Sequence, residues 1–200
     1  MLSLSAPSSA DRSFIELTTG LFELNYSFDN VLRWFDLVDS DLPDEAKAFR
    51  TFLMFVGAVD ATDADVAAVF KRVSEDVSHH PYGNTVESEP VGKWDRAFDF
   101  ELDAGAIYAS FWQTYHINLL KEKGKMSWFE FKALLDGLDQ DSIFERIIRI
   151  RKADLSEYKG KQLNEMVDCK EYYSLAQTPE DQQAKNDYEM QKQFERMGLV

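Results

Sequence analysis

Two hundred residues that are 44% hydrophobic and 14% aromatic suffice for an ordinary core, so the chain is expected to fold without covalent staples. A single cysteine, Cys169, excludes an internal disulfide framework and any multi-cysteine zinc site, and fits a reducing compartment. A net charge of −14 argues against a general nucleic-acid binder, which needs a surplus of lysine and arginine. The charge is uneven: residues 1–100 hold 18 acids against 8 bases, residues 101–200 hold 18 against 14.

The first residues, Met1 to Arg12, are Ser-rich and expected to be disordered, with neither a basic leader nor an apolar segment of signal-sequence length. No later run approaches the 18 or so apolar residues of a membrane span. Residues 13–78 follow as one expected unit, a β-hairpin with an acidic group of helices. The β-prone runs Ser13–Thr18 and Leu21–Asn25 are joined across Thr19-Gly20. Asn25 or Ser27 can cap a helix from about Phe28 to Val38, with Val31, Leu32, Trp34, Phe35 and Val38 at helical spacing. Pro43 opens a second helix, with Asp44 and Glu45 in its first turn, where the dipole favours acids. Its apolar set is Phe49, Phe52, Leu53, Phe55 and Val56, and it ends near Gly57. A third helix starts after Thr62 and Asp63, carries Val66, Val69, Phe70 and Val73, and stops by His79-His80-Pro81.

Residues 79–97 hold Pro81, Gly83, Asn84, Pro90 and Gly92 without periodicity and read as an exposed loop or hinge. Residues 98–177 read as a helical core. Its first helix runs from about Phe98 to His116, with Phe100, Ala104, Ile107, Tyr108, Phe111 and Tyr115 spaced by three and four. Lys121–Lys125 reads as a turn. Two dense helices come next: Trp128, Phe131, Leu134, Leu135 and Leu138 share a face closed by Gly137, then Ile143, Ile147 and Ile150 line up beside Phe144 and Ile148. Arg146 and Arg149 fall on the opposite side of that second helix, one turn apart. Leu163, Met166, Val167, Tyr172, Tyr173 and Leu175 form a weaker stripe. Residues 178–200 are a polar helix opened by Pro179, whose apolar positions are almost confined to Tyr188, Met190, Phe194 and Met197. Such a helix buries little of itself and is either a loosely docked tail or a segment that packs on a partner. The expected fold is mainly α: a helical bundle with a short N-terminal hairpin and an extended C-terminal helix.

Few residues offer chemistry. There is no nucleophile motif, phosphate loop or dinucleotide fingerprint. His79, His80 and His116 lack the spacing of a zinc shell. Asp39-Ser-Asp41 begins like a calcium loop, but Arg50 stands where its bidentate glutamate belongs. The expectation is a protein that is not an enzyme and takes no metal or cofactor. Arg146, Arg149, Arg151 and Lys152 are the candidate binding cluster; cations at a helix C-terminus also satisfy its dipole. Tyr188 and Phe194 are the candidate contacts on the last helix.

Residues from about Asp103 to Leu175 resemble the bacteriophage Gp15 family, encoded among the tail genes of siphophages of Gram-positive hosts. Three blocks carry the resemblance in order: Asp103-Ala-Gly-Ala-Ile107 through Phe111, Tyr115 and Leu119; Met126-Ser-Trp128-Phe129-Glu-Phe131-Lys-Ala133-Leu134-Leu135-Asp-Gly137-Leu138; and Phe144-Glu-Arg-Ile147-Ile148-Arg-Ile150-Arg151. The first hundred residues are similar in layout only. The resemblance implies a tail-assembly chaperone of the host cytoplasm, absent from the mature virion. It would bind the tape-measure protein and help the major tail tube protein polymerise; coating a long partner takes many copies, so a homo-oligomer is expected, and the charge and hydropathy argue for no nucleic acid and no membrane. A structural component of the phage tail, or an acidic regulatory or antitoxin-like binding protein, are the alternatives.

Overall fold

The computed structural model describes residues 13–78, 97–176 and 178–197. The expected disordered segment 1–12 and nearly all of the expected hinge, 79–96, lie outside them. Among the described residues the architecture is mainly helical with one two-stranded antiparallel hairpin, as the hydrophobic periodicity predicts. Strands β1 (Phe14–Leu17) and β2 (Gly20–Glu23) pair with Leu17 opposite Gly20, so the two-residue turn is Thr18-Thr19, one position earlier than expected. Gly20 has φ +142°, a conformation that L side chains rarely adopt, which places it just past the turn and not inside it.

The helices are α1 (Phe28–Asp39), α2 (Asp44–Phe55), α3 (Asp63–Ser78), α4 (Ala104–Tyr115), α5 (Leu119–Glu122), α6 (Trp128–Asp136), α7 (Ile143–Lys152), α8 (Lys161–Tyr172) and α9 (Pro179–Arg196). α4 is shorter than its periodicity predicts. Asp99 Oδ1 accepts the backbone N–H of Glu101 and Leu102, both at 2.9 Å, and this side-chain turn competes with helix until residue 103. α5 takes up part of the expected Lys121–Lys125 turn: its four residues are set by Asn118, whose Oδ1 accepts from Leu120 and Lys121, and the turn shrinks to the positive-φ Gly124 region. Neither Asn25 nor Ser27 caps α1 through its side chain. The first α1 N–H, of Phe28, instead donates to Met126 O at 3.0 Å, and that of Trp128 donates to Tyr26 O at 2.7 Å. The starts of α1 and α6 thus satisfy each other's orphan donors across a hundred residues.

The described residues form two compact units, which divide the chain differently from a cut at the 79–97 loop: 13–78 with 117–137, and 97–116 with 138 onward. The physical reason is the aromatic face of α6. Phe131 stacks on Phe28 with ring centroids 4.9 Å apart, and Trp128 meets Phe35 edge-on at 5.6 Å, so α6 completes the core of the hairpin and α1–α3. The chain leaves α4 through His116, whose φ of +57° is unusual outside glycine.

The polar groups buried in the first unit are paired. Trp34 Nε1 donates to Thr51 Oγ1 at 3.0 Å, and that hydroxyl donates to Lys47 O at 2.8 Å. Asn30, 2% exposed, donates to Asn25 O and Met54 O at 2.9 and 3.0 Å. Asp65 receives the N–H and hydroxyl of both Thr18 and Thr62, joining the hairpin to the start of α3. Those bonds, the Thr18 hydroxyl first, hold its carboxyl well below the usual carboxylate range. Burial and a 2.8 Å bond to Asp76 Oδ2 push the Tyr26 phenol far up.

Candidate functional site

α7 is made by a serine cap and a two-faced sequence. Ser142 Oγ accepts the Glu145 N–H, satisfying one orphan donor of the first turn. A second, the N–H of Phe144, goes to Ser110 Oγ at 3.1 Å, and Ser110 donates in turn to Ala106 O in its own helix. The fully buried Ser110 therefore docks the start of α7 on the middle of α4. Phe144 and Ile147 fill the space between the two helices.

The expected basic cluster separates into two sets on this helix. Arg151 turns inward. Its Nη1 and Nη2 meet Asp103 Oδ2 and Oδ1 at 2.6 and 2.8 Å, a bidentate pair with side chains only 12% and 5% exposed. The same guanidinium donates from Nη1 to Ala97 O at 3.2 Å and from Nε to Tyr173 O at 2.6 Å. Lys170 of α8 reaches back to Arg151 O and Ala153 O at 2.9 and 2.6 Å. Each helix thus lends a cation to the C-terminal carbonyls of the other, where the helix dipole favours positive charge. Four of Arg151's five N–H groups are engaged, so its role here is to hold α8 and the start of α4 on α7. Arg146, Arg149 and Lys152 make the other set: all three are exposed, and among the described residues none is in an ion pair.

The clamp floors a cleft of about 370 Å³ between α4, α7 and the end of α8, with Leu102 and Tyr172 at its rim. Tyr172 is 80% exposed and meets Tyr173 edge-on at 4.8 Å. On α9, Tyr188 is half-buried; the side chain of Phe194 lies outside the described ones.

The first unit carries a second concavity that the sequence reading did not mark. A cleft of about 490 Å³ opens between α1 and α2, floored by Leu37, Leu42, Leu53 and Met54 and edged by Arg33, Asp36 and Arg50. Beside it Phe49 is 54% exposed and Leu53 41%. The signal lay in the width of the apolar set on α2. Phe49, Phe52, Leu53, Phe55 and Val56 span an arc of roughly 160° at 3.6 residues per turn, more than the roughly 100° stripe one core face requires. Phe52 and Phe55 take the core, and Phe49 and Leu53 are left at the surface.

Among the described residues no helix is long and apolar enough to cross a membrane, and no group of three or more His, Cys, Asp or Glu gathers as metal ligands. His79 and His80 lie outside those residues. No curated protein and no solved structure matches the chain. The Bacteriophage Gp15 protein family matches residues 10–175, which takes in the hairpin, α1–α8 and both clefts and stops before α9. With five-sixths of its length inside that match, this is a bacteriophage protein of the Gp15 family.

Proposed function

We propose that the chain is a tail-assembly chaperone: a non-enzymatic protein that works without a cofactor in the cytoplasm of the infected host. It binds the tape-measure protein, assists polymerisation of the tail tube protein around it, and is absent from the finished virion. Family membership supplies the bacteriophage setting. The observation that carries the reading further is the α1–α2 cleft, an apolar trough with charged edges and two exposed apolar residues of α2 beside it. That is the form of a helix-in-groove site, which receives the apolar stripe of an amphipathic helix and covers it from water. A long helical partner presents such stripes repeatedly.

Co-expression with the tape-measure protein of the same phage, followed by co-purification, tests the reading. The natural chain should keep the partner soluble and bound, and Phe49→Glu with Leu53→Glu should release it while leaving the chain folded. A partner that stays insoluble and unbound beside the natural chain would overturn the proposal. So would finding the chain in purified virions in stoichiometric amount.

A further inference from the structure

We infer that the exposed basic stripe of α7 binds the acidic α1–α2 corner of a second copy of this chain, an inference that rests on the chaperone reading because coating a long partner takes many copies. Arg146, Arg149 and Lys152 recur every third residue, so the stripe runs about 9 Å along the helix at 1.5 Å per residue. Residues 146–153 contain no acid. The helix dipole accounts for cations in the last turn of α7, namely Arg149, Arg151 and Lys152. It leaves Arg146, which lies before that turn, without an explanation. Arg151 is consumed by Asp103, and the other three cations face solvent.

The complementary surface lies on the first unit. Between the end of α1 and the first turn of α2, Asp41, Asp44 and Glu45 are all exposed, and residues 36–46 contain no base. Asp41, Asp44 and Glu45 line no part of the α1–α2 cleft, so their carboxylates can meet the guanidinium groups of the stripe and leave the cleft open. In a chain of net charge −14, random encounters between copies are repulsive, and only an orientation that sets the stripe against this corner is attractive. A nucleic acid, the other polyanion of the right charge for such a stripe, meets that same overall repulsion. A contact between two different patches continues into a longer assembly unless it closes on itself.

Sedimentation of the purified full chain, without any tail protein, reads the contact. Association should be detectable at low salt and weaken by about tenfold or more near 0.5 M salt, where the screening length falls to a few ångströms. Arg146→Glu with Arg149→Glu should abolish it, and Arg146→Gln with Arg149→Gln should weaken it. Asp41→Lys with Glu45→Lys should also abolish it, and mixing that variant with the arginine-reversed one should restore a complex. Unchanged association in either reversed variant, a mixture that fails to recombine, or a natural chain that stays monomeric at every salt would overturn the inference. Co-purification of the tape-measure protein with the arginine-reversed chain reads the α1–α2 cleft separately, because neither arginine lines it.

Discussion

In the unit built from residues 13–78 and 117–137, helices meet through stacked and edge-on rings, whereas in the other unit the outer helix α8 buries no residue and is held by charges. The ring contacts among Phe28, Trp34, Phe35, Phe55, Trp128 and Phe131 are individually modest and collectively large. The clamp of Arg151, Asp103, Lys170 and two helix ends is directional, and it loses most of its value when a single partner goes. One unit should therefore fail by global unfolding, and the other by release of a piece.

The largest expected effect is on the aromatic side. Phe131 is 1% exposed and touches both Phe28 and Trp128. Phe131→Ala should cost about 3–5 kcal/mol, the range of buried Phe truncations, measured by urea unfolding. Asp103→Ala comes next, at about 3 kcal/mol, because it strands a buried guanidinium. Hydrogen exchange should show its effect first in α8, and Asp103→Ala with Arg151→Met should recover most of the loss. Equal acceleration of α1–α3 amides in Asp103→Ala would erase the distinction between the two units.

How much of this was legible in the sequence follows from range. Local signals worked: apolar periodicity marked α1–α3, α6 and α7, and Pro43 stands where α2 begins. Pairings between distant residues did not show. Nothing near Arg151 in the sequence points to Asp103, so Arg146, Arg149, Arg151 and Lys152 read as one cluster although one of them turns inward. Similarly, α6 and α7 are separated by only six residues and read as one core, but the ring partners of α6 lie a hundred positions upstream. The α1–α2 cleft was visible only as excess width in the apolar arc of α2.

A smaller effect separates the units by pH. Asp65 binds hairpin to α3 as an anion, its carboxyl held far below the ordinary value of about 3.9. A depressed folded-state pKa contributes stability that is complete above the unfolded value and is lost as pH falls below about 4 toward the folded one. Unfolding of the natural chain should thus become easier through that acid range, and Asp65→Asn should flatten the profile there while lowering stability at neutral pH. An unchanged acid limb in Asp65→Asn would mean that other carboxylates set it.

The smallest effect is expected from α9. The family match ends at residue 175, before this helix begins. Met190 and Met197 are 52% and 53% exposed, and two side-chain bonds of the helix, Gln183 to Asp187 and Gln191 to Glu195, are local pairs one turn apart. Such pairs support a helix by only a few tenths of a kcal/mol. Removing residues 179–200 should therefore change unfolding free energy by about 0.5 kcal/mol or less, the scale of surface changes. The same truncation should weaken capture of the tape-measure protein or association between copies, because Tyr188 and Phe194 go with it. A stability loss as large as that of Asp103→Ala would instead make α9 a second clamped element, and the polar mode of holding would then extend through the whole C-terminal end of its unit.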